Sequence, residues 1–183
     1  FLHEALELGT VPSMDIRAQC SGFIYGLQMA RSLVVSGQYK RILFVCVELQ
    51  SRGLQFNDDG RETAVLFGDG SGAMVIERCD NPEDGIIQVE LFSEGAHAKK
   101  LWIEAPGVAY PDVITPEMIA QGKHRPSMDG KFVFKQAVQR LPESIMTVLA
   151  KTGLRLEDID HFMFHQANLR INEFVAGKMG IPA

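Results

Sequence analysis

Cys20 and His165 are the residues of this 183-residue chain best placed to do chemistry. Cys20 leaves an apolar stretch and enters a helical pattern beginning Ser21-Gly22-Phe23. The unpaired N–H groups and partial positive charge of a helix start favour thiolate over thiol, and Gly22 leaves room for a ligand against the backbone. The competing reading is a buried core cysteine, a common state for a free thiol. Cys46 sits among apolar neighbours in Phe44-Val45-Cys46-Val47-Glu48, and Cys79 shows no partner, so neither competes as a nucleophile.

His165-Gln166-Ala167-Asn168 follows an apolar run and opens a second helical pattern. A neutral imidazole there could donate to a developing oxyanion or activate a thiol; the alternative is a capping Asn beside a structural His. His161 and His165 have the spacing of a zinc pair, but on a strand pattern and without a Cys pair, so no metal site is expected. Gly68-Asp69-Gly70-Ser71-Gly72-Ala73 formally fits the dinucleotide fingerprint. A strand pattern follows it rather than a helix, and Asp69 would face the pyrophosphate, so a Gly-rich hairpin is the better reading.

The elements that position these residues follow from periodicity. Helices are expected over 21–36, with Ile24, Leu27, Ala30, Leu33 and Val34 on one face and Gly37 at its end. A second spans 130–151 with a Phe134, Ala137, Val138, Leu141, Ile145, Val148, Leu149 stripe, interrupted by Pro142; a third spans 168–178. Strands are expected over 14–19, 41–49, 62–67, 73–77 and 160–164, and more weakly over 86–93 and 101–104. The run at 41–49 reads as a strand covered on both faces. Residues 107–126 are loop-like. In two places a strand thus delivers a polar residue, Cys20 and then His165, to a helix start, which suggests a duplicated α/β plan.

Composition narrows the partners. Eighteen Lys and Arg against 23 Asp and Glu give a net charge of −5. With no basic run, nucleic acid is not an expected partner. No apolar stretch reaches the roughly 18 residues of a membrane span. Three cysteines make no disulfide framework, so a cytoplasmic location is expected. The first residues are acidic where a signal peptide is basic, and both ends read as cuts within a longer chain.

Five stretches stand in a familiar order: Asp15-Ile16-Arg17-Ala18-Gln19-Cys20-Ser21-Gly22-Phe23, Gly60-Arg61-Glu62-Thr63, Phe67-Gly68-Asp69-Gly70-Ser71-Gly72-Ala73, Met128-Asp129-Gly130-Lys131-Phe132-Val133-Phe134-Lys135 and His165-Gln166-Ala167-Asn168-Leu169-Arg170-Ile171. Together they resemble the beta-ketoacyl-acyl-carrier-protein synthase III family, over nearly the whole chain, with the His-Gln-Ala-Asn run the most discriminating part. The resemblance implies a thiolase-like fold, a duplicated α/β/α/β/α sandwich, incomplete in this chain. Residues 1–80 would be the remainder of its N-terminal half and 81–183 the beginning of its C-terminal half.

The implied reaction is decarboxylative condensation of an acyl-coenzyme A starter with malonyl-acyl-carrier protein, initiating type II fatty-acid synthesis. Cys20 would be the acyl-accepting nucleophile and His165 a donor at the decarboxylation site. Phe67 would line the acyl pocket, Arg61 lie near the coenzyme A adenine, and Asn168 stand by the pantetheine channel. Arg170 would lie at the carrier-protein docking surface. The implied partners are acyl-coenzyme A, the carrier protein and a second copy in a homodimer, with no cofactor. Three family features are missing: a second catalytic residue (Asn in a Gly-Asn-Thr-Ser run), a C-terminal Gly-rich oxyanion loop, and an N-terminal segment contacting coenzyme A. Lys131 stands where many relatives carry Asn, and Glu62 where they carry Gly. The 183 residues alone are therefore not expected to complete the condensation. The alternatives are a related acyltransferase on the same Cys/His frame, or a non-catalytic dimerisation piece.

Overall fold

The structure, a computed structural model, describes residues 1–81 and 84–181. Pro182 and Ala183, at the start of the connection expected after the last helix, lie outside the described residues. In chain order the elements are α1 (Leu2–Ala5), α2 (Gly22–Val35), β1 (Arg41–Glu48), α3 (Arg61–Ala64), β2 (Gly70–Glu77), β3 (Leu101–Ile103), α4 (Pro116–Ala120), β4 (Pro126–Met128), α5 (Gly130–Thr152) and α6 (Leu169–Met179). Three 3₁₀ turns, Gln19–Ser21, Gly95–Lys100 and Leu156–Asp158, join them. No helix among the described residues is long and apolar enough to cross a membrane.

The first unit is α2 laid on the β1–β2 pair. Gly26, Ala30 and Val34 form the buried stripe of α2. The missing side chain of Gly26 admits the Phe44 ring of β1, which a Cβ there would strike. Phe23 then stacks on Phe44, with ring centroids 5.8 Å apart. Gly37, at φ 78, turns the chain out of α2 and donates its N–H to Val34. β1 therefore returns antiparallel to α2, and its far end, Glu48, lies at the end of the unit where α2 begins.

β1 pairs with β2 antiparallel, from Arg41 opposite Glu77 to Glu48 opposite Gly70. Only one face of β1 is packed: Val47 is 69% and Leu43 42% exposed, so the expected cover on both faces is not found among the described residues. Gly70-Ser71-Gly72 opens β2 rather than forming a hairpin. The strand expected at 62–67 is instead the one-turn helix α3. Gly60 makes that turn possible, because a Cβ there would overlap the Gln55 backbone, and Thr63 Oγ1 donates back to the Gly60 carbonyl.

The second unit is α5 packed on α6, preceded by the short β3–β4 pair, Leu101 opposite Met128. Asp129 caps α5 by accepting from the Phe132 N–H, 3.1 Å away. Such a cap is worth about 1 kcal/mol. The helix runs through Pro142 without a break to Gly153, whose φ of 71 ends it. Leu149 on α5 and Ile171 and Val175 on α6 are buried. Phe134 and Phe174 meet edge to face at 6.3 Å. Gly180, also at φ 71, closes α6.

Three expected strands have no paired neighbour among the described residues: 14–19, 86–93 and 160–164. A strand, unlike a helix, draws its hydrogen bonds from another segment. The alternation of 160–164 survives in its burial, with Phe162 and Phe164 half-buried between exposed neighbours. The segment around 86–94 instead clasps both units. Arg31 Nε and Nη2 donate to the Ile86 and Ile87 carbonyls, and Tyr25 donates to Phe92. From the other side Lys151 pairs with Glu90 and Arg140 with Glu94.

Candidate functional site

The clasp sets the direction of the two long helices. Along α2, Tyr25 then Arg31 meet residues 92 then 86, so the clasp runs antiparallel to α2. Along α5, Arg140 then Lys151 meet Glu94 then Glu90, so it runs antiparallel to α5 too. The starts of α2 and α5 therefore point to the same end of the molecule. The start of α6 joins them, because Phe174 in its second turn touches Phe134 in the second turn of α5. The β1–β2 connection, residues 49–69, leaves β1 at this end as well.

All six residues singled out from the sequence, Cys20, Arg61, Phe67, His165, Asn168 and Arg170, lie in the segments that gather there. Among the described residues, no hydrogen bond or ion pair joins Cys20 to His165.

Cys20 sits in the 3₁₀ turn that runs into α2, one residue after Gln19, whose φ of 45 is left-handed for a non-glycine residue. Backbone strain of this kind concentrates where a side chain is held in a special position. The residue is exposed. Loss of hydration around the thiol pushes its pKa above the ordinary value; its own backbone N–H opposes this and the Glu48 carboxylate adds to it. The thiolate stabilisation expected of a helix start is thus outweighed by the loss of hydration, although Cys20 stands on the turn that runs into α2 at Gly22. A raised pKa means less thiolate at neutral pH. Iodoacetamide labelling of Cys20, followed on its tryptic peptide, should keep accelerating with pH beyond 9; a rate that has levelled off by about pH 8 contradicts this balance.

His165 is exposed and ends the extended segment. Asn168 is the N-cap of α6, its Oδ1 accepting from the Arg170 N–H at 3.0 Å. The capping reading of Asn168 is therefore correct, and its amide N–H groups remain for a second partner. Arg170 is exposed, and no ion pair holds it among the described residues. No group of three or more His, Cys, Asp or Glu residues placed to hold a metal ion occurs among the described residues.

Arg61 opens α3, exposed and paired with Asp58 at 2.5 Å. Phe67 is half-buried just ahead of β2. Neither is among the residues lining the two hollows next to the 55–63 segment. A hollow of about 220 Å³ beside them is lined by Gly60, Glu62, Thr63 and Met128 among others. It adjoins a larger one of about 480 Å³, lined in part by Trp102, Glu104, Lys123 and Arg125.

Sequence reasoning missed Gln19, whose conformation no residue pattern announces. It also missed Lys123 and Arg125, the cations of the larger hollow, and Ser51, which donates from both N–H and Oγ to Asp69. Asp69 had drawn notice only as an obstacle to a pyrophosphate.

Comparison with known proteins bears on the same segments. Residues 14–95 match the family model for 3-oxoacyl-[acyl-carrier-protein] synthase III, and residues 149–183 match the model of that family's C-terminal part. A beta-ketoacyl-[acyl-carrier-protein] synthase III of Roseiflexus castenholzii is 38% identical over 170 residues, 93% of this chain and 50% of the relative. One of Staphylococcus saprophyticus is 42% identical over 181 residues, 99% of this chain and 52% of the relative. The crystal structure of the Thermus thermophilus synthase III superposes with a TM-score of 0.85 at 35% identity, over 99% of this chain and 54% of that one. The chain thus spans about half the length of the relatives it matches.

Proposed function

The chain belongs to the 3-oxoacyl-[acyl-carrier-protein] synthase III family, with its thiolase-like α/β fold, and from that premise we propose that the protein it represents is the initiating condensing enzyme of fatty-acid synthesis. The observation that carries the reading is the gathering of Cys20, Arg61, Phe67, His165, Asn168 and Arg170 at one end of the molecule, on the starts of three helices and one connecting loop. We assign residues 1–80 and 81–183 to the two related halves of that fold.

In the first stage Cys20 sulfur attacks the thioester carbonyl of an acyl-coenzyme A. A tetrahedral oxyanion forms and collapses, the carbon–sulfur bond to coenzyme A breaks, and the Cys20 proton ends on the departing thiol. Phe67 shapes the space beside the acyl chain, Arg61 meets the nucleotide end, and Asn168 turns its amide toward the pantetheine arm. In the second stage malonyl-carrier protein loses carbon dioxide, and the electrons of the broken bond form an enolate. His165, as a neutral imidazole, donates to the enolate oxygen. The enolate carbon then attacks the acyl-Cys20 carbonyl, the carbon–sulfur bond to Cys20 breaks to give a 3-oxoacyl carrier protein, and the Cys20 thiolate regains a proton from water. The thioester is the only small molecule the chemistry requires. A homodimer and a cytoplasmic location belong to the same reading.

The carrier protein is the acidic partner, and Arg170 is one of the exposed cations at this end without an ion pair among the described residues. Arg170→Glu should raise KM for malonyl-carrier protein by roughly tenfold through like-charge repulsion and leave acylation of Cys20 near wild type. Equal losses in both stages would point away from docking. The reading as a whole is tested on the full-length protein given an acyl-coenzyme A and malonyl-carrier protein. Formation of 3-oxoacyl carrier protein with release of coenzyme A and carbon dioxide supports it. Hydrolysis of the thioester without carbon–carbon bond formation counts against it.

A further inference from the structure

The connection between β1 and β2 is unusually long for a pair of antiparallel neighbours: residues 49–69 separate Glu48 from its cross-strand partner Gly70. Most hairpin loops have two to five residues, and longer ones that persist tend to be compact loops with a function. This one is ordered from within. Gly60 donates its N–H to Asn57, Arg61 pairs with Asp58, and Leu66 and Phe67 donate back to the Thr63 carbonyl. Such a loop behaves as one body, so what holds its neck sets where its side chains point.

The neck is held by a single carboxylate. Ser51, three residues past β1, donates its backbone N–H to Asp69 Oδ1 at 2.8 Å and its hydroxyl to Asp69 Oδ2 at 2.6 Å. Asp69 stands immediately before β2 and two residues after Phe67. Both oxygens are used, each by a different donor. An ionised carboxylate accepts from both with charge assistance; an amide in its place keeps one acceptor and meets the hydroxyl only by reversing that bond, so the charge assistance of both bonds is lost. The two Ser51 bonds are also the main cause holding the Asp69 pKa below the ordinary carboxylate value.

We propose that Ser51 and Asp69 form a positioning clamp that fixes the 52–68 loop against the Cys20 end, and so sets how Phe67 and Arg61 receive the acyl-coenzyme A. Asp69 touches no reacting atom; it acts through the loop. The inference rests on the function proposed above for Phe67 and Arg61, while the clamp itself is readable without it.

The experiment uses the full-length protein and its Asp69→Asn, Ser51→Ala and double variants. Three rates are read: acylation of Cys20 by acetyl- and longer-chain acyl-coenzyme A, alkylation of Cys20 by iodoacetamide, and hydrogen exchange of amides 52–66. Iodoacetamide is too small to need Phe67 or Arg61, so it reports whether Cys20 and its surroundings remain intact.

D69N is expected to lower kcat/KM for acylation by about tenfold, mostly through KM, and S51A by about threefold, with the double variant no worse than D69N because the two residues act as one unit. Alkylation stays within about twofold of wild type, exchange across 52–66 quickens, and Ser51→Thr, which keeps the hydroxyl, restores S51A. Wild-type acylation in both single variants, losses that multiply in the double variant, or unchanged exchange would each overturn the clamp. If D69N does not fold, S51A and its threonine rescue decide the matter alone. A wild-type protein that accepts no acyl group from any acyl-coenzyme A overturns the proposed function instead, and exchange across 52–66 then judges the clamp by itself.

Discussion

Cys20→Ala should leave no acyl transfer in either stage, a loss on the order of 10⁴-fold or more, because covalent catalysis has no path without its nucleophile. The other two thiols do not substitute. Cys46 is half-buried in β1 opposite Gly72, and Cys79 follows β2 at the sheet's other end, where Arg41 faces Glu77. Cys20 alone stands on the turn into α2, where the backbone of the helix start offers N–H groups to a tetrahedral oxyanion. The measurement is a pair of assays, radiolabelled acyl transfer to protein and overall condensation. Residual activity above about 1% of wild type in C20A would place the nucleophile elsewhere.

His165→Ala should separate the two stages. In the proposed reaction the imidazole donates only to the enolate oxygen that appears after carbon dioxide leaves, so condensation should fall by about 10²–10³-fold, or some 2.7–4 kcal/mol of transition-state stabilisation. Acylation of Cys20 involves no such enolate and should stay within about threefold of wild type. Single-turnover acylation and steady-state condensation, measured on one preparation, give both numbers. A parallel loss in the two stages would make His165 a base for the Cys20 thiol instead.

The helices of this chain were legible because a helix carries its own hydrogen bonds and its own stop signals. The stripe of α5, its Asp129 cap and its Gly153 terminus can all be read within the segment. Gly37 and Gly180 mark the ends of α2 and α6 in the same way. Strands were legible only where a pairing partner stands among the described residues, as for β1 and β2. Residues 86–93 and 160–164 have the residue types of strands but find no pairing neighbour among the described residues, so the same pattern yields extended backbone. α3 is not legible because four residues are too few for a helical period to show, and the apolar run Ala64-Val65-Leu66-Phe67 reads as a strand. α4 was missed although Thr115-Pro116-Glu117 is a cap followed by a first-turn proline, with Thr115 Oγ1 accepting from the Met118 N–H at 3.2 Å.

At the site, residue type and local context single out Cys20 and His165 as candidates, since a thiol or an imidazole at a helix start can be recognised from a few neighbours. They could not find the balance that sets the Cys20 pKa. Glu48 acts on Cys20 where β1 lies close against α2, the missing side chain of Gly26 admitting Phe44, a fact of packing that residue type does not announce. Nor could they find the Ser51–Asp69 pair, which is brought together by the register of β1 on β2.

The central claim is that Cys20 takes the acyl group, and the most direct measurement is its location. The full-length protein is mixed with acetyl-coenzyme A alone, quenched in acid to preserve thioesters, digested and examined by mass spectrometry. The account predicts an acetyl mass increase on the peptide carrying Cys20, at close to one per chain, which disappears when malonyl-carrier protein is added before the quench. An acetyl group on the peptide of Cys46 or Cys79, or free coenzyme A released with every cysteine unmodified, would contradict it.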